Sequence, residues 1–212
     1  MIMAVVGDIN GNLTALRATL EAINARSIQT ILHTGNAVVG GSHCNEIIDL
    51  LNTHRVCCVQ GSRDRQLVSF MRKRAQLEQR ISSAEMDALA TAFDNLDSHS
   101  LEELRALKRT RLIEIDGILM FLCHGLPSSR SQVFDANTPL LRLRRERELA
   151  EADMIICGGA NEFFTRTVEG ARFICPGNIE KDSEVAQYTL VDTEESPWTI
   201  QAVTVPVESP SP

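Results

Sequence analysis

Ile2-Met3-Ala4-Val5-Val6-Gly7-Asp8-Ile9-Asn10-Gly11-Asn12 opens the chain and decides how the rest is read. The apolar run has the character of a buried strand. Gly7 permits a sharp turn at the strand's end. Asp8 and Asn10 then stand on a loop at the carboxyl edge, and Asn12 is placed to cap a following helix. In open α/β sheets that edge is where ligands bind. An ordinary strand–turn–helix with polar turn residues explains the same stretch. The choice between the two rests on whether the pattern recurs.

It does recur. Leu13, Leu16, Leu20 and Ile23 fall on one helical face. A second strand, Gln29 to His33, ends in Thr34-Gly35-Asn36, and Gly40-Gly41 continue its loop. Asn45 to His54 reads as an amphipathic helix through Ile47, Ile48, Leu50 and Leu51. Val56 to Val59 is a third strand, followed by Gly61-Ser62-Arg63-Asp64. Strand–helix alternation with polar strand ends predicts a mainly parallel sheet covered by helices.

The segment from Arg65 to Lys108 is charged and lacks Gly and Pro. It reads as a helical insertion over one side of the sheet edge, with a solvated face. Ser83 is the expected cap of a helix bearing Met86, Leu89 and Phe93, and Ser100-Leu101-Glu102-Glu103 has the capping-box pattern. Arg111 to Ile115, Asp116-Gly117 and Ile118 to Cys123 form a β-hairpin. Its second strand ends in His124-Gly125, and a linker with Pro127 and serines follows. Thr138-Pro139 supplies an N-cap and a first-turn proline. In the helix Leu140 to Ala152, Arg142, Arg144, Arg145 and Arg147 alternate with Glu146, Glu148 and Glu151. That mixture predicts an exposed, salt-bridged face rather than a nucleic-acid stripe. Asp153 to Cys157 is another buried strand, ending in Gly158-Gly159-Ala160-Asn161. Phe163 to Val168 and Ala171 to Cys175 pair through Glu169-Gly170, and Pro176-Gly177-Asn178 is a turn. Ala186 to Val191 and Trp198 to Val205 complete the domain as antiparallel strands at its far side. One domain over residues 1–205 is expected, with 206–212 as a disordered tail.

The 212 residues suit a single domain with a sizeable core. Hydrophobic content of 43% and charged content of 23% are ordinary for a globular chain. A net charge of −7 argues against non-specific binding of nucleic acid or an anionic membrane, while leaving room for a local basic pocket. There is no signal-peptide pattern and no apolar run long enough to span a bilayer. Cys44, Cys57, Cys58, Cys123, Cys157 and Cys175 include no Cys-x-x-Cys pair, and four lie in strand-like runs. They read as buried reduced thiols, and a cytoplasmic location is expected.

Taken in order, the strand ends are Gly7-Asp8-Ile9-Asn10, Gly35-Asn36, Gly61-Ser62-Arg63-Asp64, His124-Gly125 and Gly158-Gly159-Ala160-Asn161. The series resembles the calcineurin-like metallophosphoesterase superfamily, and its small bacterial phosphoesterase branch in particular. The familiar pattern there is Asp-x-His, Gly-Asp, Gly-Asn-His-Asp or Glu, a His, and Gly-His-x-His. The resemblance covers nearly the whole chain. It implies an α/β fold in which a two-sheet β-sandwich is flanked by helices, with residues 65–108 as a helical insertion. It also implies two metal ions that clamp a phosphoryl group and activate water.

Several residues depart from that pattern. Asp8 matches the first aspartate and His124 the middle histidine. Asn10 stands where the first histidine is expected and Asn36 where the bridging aspartate is expected. Ser62 replaces the ligand asparagine, and Arg63 the histidine that acts on substrate. Gly159 and Asn161 replace both histidines of the last block. Asp64 survives as a supporting residue. Asp8, Asn10, Asn36, Ser62, His124 and Asn161 therefore constitute a vestigial or weak metal set. No cofactor is expected beyond at most one weakly bound Mg²⁺, Ca²⁺ or Mn²⁺, provided each amide turns its oxygen inward.

Arg63, His124, Asn36 and Asn161 become candidate binding residues for a phosphate-containing small molecule, with Arg63 as an anion-binding guanidinium. Arg63 pointing to solvent and His124 as a hydrogen-bonded strand-end imidazole are the plain alternatives. The expected protein is thus catalytically weak or inactive. A working phosphoesterase using one metal, or ligands outside the motifs such as His43 or Glu162, is the alternative. An inert pocket with the insertion as a protein contact surface, or a homodimer, is the third possibility.

Overall fold

The computed structural model describes residues 1–179, 184–194 and 197–207. Among the described residues, two five-stranded mixed sheets pack face to face, with seven helices on their outer surfaces. In the first sheet, β1 (Ile2–Val6), β2 (Thr30–His33) and β3 (Cys57–Cys58) are parallel. On the other side of β1 lies antiparallel β9 (Val185–Asp192), then β10 (Thr199–Pro206). The pair expected at the far side of the fold therefore borders the opening strand. Pro206, the first residue of the expected tail, pairs with Val185 as the last residue of β10, and residues 208–212 of that tail lie outside the described residues.

The second sheet runs β4 (Thr110–Ile115), β5 (Ile118–Cys123), β6 (Met154–Cys157), β8 (Ala171–Pro176) and β7 (Phe163–Val168). The β5–β6 and β6–β8 pairs are parallel, and the two hairpins are antiparallel. Asp116 and Gly117 both have φ near the left-handed region, 53° and 77°, as a two-residue hairpin turn requires.

Strand alternation builds three cores. Met3 and Val5 face Met120, Leu122, Met154, Ile156 and Ile174 inside the sandwich. Ala4 and Val6 face outward onto α1 (Leu13–Ala25) and α2 (Cys44–Thr53). On the second sheet, Cys123, Ile155 and Phe173 meet Leu143 of α7 (Leu140–Ala150). Five cysteines are buried, whereas Cys57 on the short β3 is only half-buried, and none is in a disulfide.

The insertion is less solvated than its charge suggests. It contains α3 (Ser62–Val68), α4 (Phe70–Leu77), α5 (Ser83–Asp94) and α6 (Ser98–Ala106). Leu67, Phe70, Leu77, Leu89, Ala92 and Leu104 all join the core of α1 and α2. Caps shift by one to three residues from the expected positions. Ser82, not Ser83, closes a capping box with Glu85, and Asp97 caps α6 by accepting from Ser100 N–H. Thr138 does not cap α7; its hydroxyl instead joins a turn with Asp135. Among the described residues, no helix is long and apolar enough to cross a membrane.

Candidate functional site

The carboxyl ends of β1, β2, β3, β5 and β6 converge on one edge of the sandwich. Backbone bonds stitch their loops together: Ile9 and Asn10 N–H donate to Asn36 O, and Ile179 N–H donates to Asp8 O. Gly7 matters here through close approach, not through an unusual φ. A Cβ on it would lie 1.6 Å from the Gly177 carbonyl oxygen. Asn10 and Asn36 adopt φ of 51° and 60°, a left-handed conformation that asparagine tolerates better than most residues. Both asparagines thus serve the loop geometry as well as the pocket.

At the floor lies a closed set of hydrogen bonds. The Asn36 side chain is its centre. Its Oδ1 accepts from Arg63 N–H at 2.9 Å. That fixes the amide's orientation and turns Nδ2 inward. Nδ2 donates to Asp8 Oδ2 at 2.8 Å and reaches His124 Nε2 at 3.1 Å. The other ring nitrogen, His124 Nδ1, lies 2.9 Å from Thr34 O, which only accepts. Nδ1 therefore carries the proton, and Nε2 accepts from Asn36 and from the Ser62 hydroxyl at 3.4 Å. Asp8 Oδ1 takes Gly159 N–H at 3.2 Å.

Asp64 sits beneath this layer and is fully buried. It accepts from the backbone N–H groups of Asn36, Ala37 and Gly61 at 2.8–2.9 Å. It thereby holds the Asn36 turn against the start of α3. Burial pushes the Asp8 and Asp64 carboxyls above the ordinary carboxylate range, with Asn36 and Gly159 opposing this at Asp8 and the three backbone N–H groups opposing it at Asp64.

The remaining amide oxygens are also engaged. Asn10 Oδ1 accepts from Arg63 Nη1 at 3.4 Å, and Asn161 Oδ1 accepts from Asn178 Nδ2 at 2.7 Å. Asn178 Oδ1 is buried without a partner. The side-chain oxygens of Asn36, Asn10 and Asn161 thus each accept a protein N–H group. Gly159 has φ +82°, and a Cβ there would stand 3.4 Å from His124 Nε2.

These residues line a pocket of about 270 Å³. The structure brings together every candidate from the sequence: Asp8, Asn10, Asn36, Ser62, Arg63, His124 and Asn161. Arg63 is exposed but reaches Asn10 on the pocket wall, so it does not simply point away. Neither alternative ligand reaches the site. His43 pairs with Glu46 at the start of α2, and Glu162 is not on the pocket wall.

Arg130, Ser131, Val133 and Asn178 also line the pocket and were not legible as site residues. The first three belong to the serine-rich linker, which carries no motif. Asn178 arrives through an isolated parallel bridge to Asp8. The linker is held by α7: Glu146, only 1% exposed, accepts from Ser128 N–H, the Ser128 hydroxyl and Arg142 Nε. Arg142 also donates to Ser128 Oγ and Gln132 Oε1. The mixed-charge face expected on this helix is therefore partly buried, as a clamp on the linker.

The family model for the calcineurin-like phosphoesterase superfamily domain matches residues 1–196. Among solved structures, the hypothetical protein PH1004 from Pyrococcus horikoshii OT3 is 22% identical, with a TM-score of 0.86 over 98% of this chain and 89% of that one. A metallophosphoesterase from Sphaerobacter thermophilus is 17% identical, with a TM-score of 0.69 over 98% and 90%. Vps29 from Entamoeba histolytica, in a complex with Zn²⁺, is 20% identical, with a TM-score of 0.57 over 98% and 100%. A comparison with curated proteins gave no match. The neighbours establish the fold, and the match over most of the chain places this protein in the calcineurin-like phosphoesterase superfamily.

Proposed function

We propose that this protein binds a phosphate-like anion without hydrolysing it, at a site where hydrogen bonds stand in for the family's dinuclear metal centre. The observation that carries this reading is the orientation of Asn36. An N–H group points at both Asp8 and His124, the two residues that keep the family's ligand types. A cation cannot share that position with an N–H donor.

The donor set argues the same way. The family's two ions do not fit it, because a transition metal needs about three good donors. Among the described residues Asp8 is the one carboxylate lining the pocket, His124 Nε2 already accepts, and the Asn10, Asn36 and Asn161 oxygens each accept a protein N–H, which leaves Asn178 Oδ1 as the amide oxygen without a partner. Among the described residues no group of three or more His, Cys, Asp or Glu is arranged to hold a metal. Releasing the amides toward a hard ion would cost the hydrogen bonds that fix the loops. Without a bound metal, water keeps its high pKa and the family's nucleophile is not generated.

An anion is the better occupant. Arg63 brings a permanent charge to the pocket wall. The six free thiols suit a reducing compartment, which supports a cytoplasmic location.

The test is metal content after purification without chelator, with Mn²⁺, Zn²⁺ and Mg²⁺ offered separately, and phosphodiester hydrolysis on the same samples. The expected result is metal well below one ion per chain and no hydrolysis above background. Calorimetric titration should show phosphate binding that is weakened at least tenfold in Arg63→Ala. Two metals per chain, with activity lost in Asp8→Ala and His124→Ala, would overturn the reading and identify a working enzyme.

A further inference from the structure

We propose that the pocket takes a ligand with two linked phosphoryl groups, the second gripped by Arg130 with Arg65 and Arg109 beside it. This deepens, and rests on, the anion-binding reading above. The argument begins with an unmet donor. Arg130 lines the pocket, its Nε is sealed from solvent, and that atom has no hydrogen-bond partner. Buried donors without acceptors are rare, and a guanidinium without a counter-charge rarer still.

No neighbour supplies that counter-charge. Among the described residues, no carboxylate forms an ion pair with Arg63, Arg65, Arg109 or Arg130. Burial, with the like charges of Arg65 and Arg109 nearby, makes Arg130 a weaker base than a free arginine. In a chain of net charge −7, the wall of this pocket carries two guanidinium groups, Arg63 and Arg130, against the carboxylate of Asp8, and Arg65 and Arg109 lie near Arg130.

Arg130 is also held in place. The Ser128 end of its loop is fixed by Glu146, and Leu126 N–H donates to Gln132 O across the loop. Its guanidinium is thus presented on an anchored loop, whereas a free surface arginine would have to be immobilised on binding. Arg63 and Arg130 come from different segments of the chain and line the same cavity, which is larger than one phosphate group needs. Two guanidinium forks suit two phosphoryl groups, each held through paired oxygens. No aromatic ring lines the pocket, so a base is not gripped by stacking. Recognition falls on the diphosphate itself.

The experiment titrates inorganic phosphate and pyrophosphate into the full chain by calorimetry, in metal-free buffer. Pyrophosphate is expected to bind at least tenfold more tightly than phosphate. In Arg130→Gln that preference should fall to about twofold or less, with phosphate affinity nearly unchanged. Arg130→Lys, which keeps charge but loses the fork, should fall between. Equal affinity for the two anions in the wild type overturns the inference and leaves the anion site standing. An equal loss of both in Arg130→Gln also overturns it, since the arginine would then act only through general charge. Failure of both anions to bind overturns both this inference and the reading on which it rests. Should Arg130→Gln fail to fold, the Lys variant and Arg109→Gln, at an exposed position, decide the same question.

Discussion

The floor and the rim of the pocket are built on opposite rules. On the floor, Asp8, Asn36, Asp64 and His124 are buried, and their donors and acceptors are matched almost one to one. At the rim, Arg130 stands near Arg65 and Arg109, and among the described residues neither it nor Arg63 forms an ion pair. A closed polar network specifies one geometry and leaves little for a ligand to gain. An open one costs stability until something binds. The floor therefore sets the shape of the site and the rim supplies its affinity.

The comparison is broken most severely at the floor. Asp64→Ala would strand three buried backbone N–H groups, at a cost of about 3–5 kcal/mol in denaturant unfolding. If the cost were below about 1 kcal/mol, the Asn36 turn would not depend on that carboxylate. Next in size is the clamp behind the rim. Glu146→Ala leaves Ser128 and Arg142 without their acceptor and should cost about 3 kcal/mol. It should also weaken pyrophosphate binding, by releasing the Arg130 loop.

Acid sharpens the comparison at His33, a fully buried imidazole at the end of β2. Burial, with His124 nearby, pushes its pKa down to about 3. Between that value and the ordinary histidine range the unfolded chain binds the extra proton, so this residue's contribution to stability falls as pH drops through the window. His33→Leu should flatten the profile, changing the wild-type-minus-variant difference by about 2 kcal/mol between pH 7 and pH 5. The comparison with the variant matters because raised carboxyls at Asp8 and Asp64 act in the opposite sense, favouring the folded state as they take up protons. The smallest effect belongs to the rim. Arg63→Ala should change unfolding stability by no more than about 0.5 kcal/mol, while phosphate affinity falls.

Much of this site was legible because five strand ends carried the same punctuation. Glycine followed by a short polar residue recurs at Gly7-Asp8, Gly35-Asn36 and Gly61-Ser62, and parallel strands bring such ends to one edge. All seven residues picked out in this way line the pocket. What those residues do to each other was not legible. Asn36 in sequence is an amide of either orientation; only Arg63 N–H on one side and Asp8 on the other decide which atom faces inward. Arg130 was missed because its linker has neither periodicity nor motif. Its loop is held by Glu146 on another element, which binds Ser128 eighteen residues earlier in the chain.

The sequence by itself determined the strand–helix order and the residue types at each strand end, because these follow from local periodicity and turn chemistry, and the order of those strand ends carried the resemblance to the family. Tertiary structure alone decided that β9 borders β1, that the charged insertion shares the core of α1 and α2, and that a buried glutamate clamps the linker. Each of these depends on pairing and burial between distant segments, where a side chain's environment comes from residues far away in the chain. The contrast between a satisfied floor and an unsatisfied rim is of this kind: a hydrogen bond or an ion pair belongs to two residues, and a sequence read position by position shows only one of them at a time.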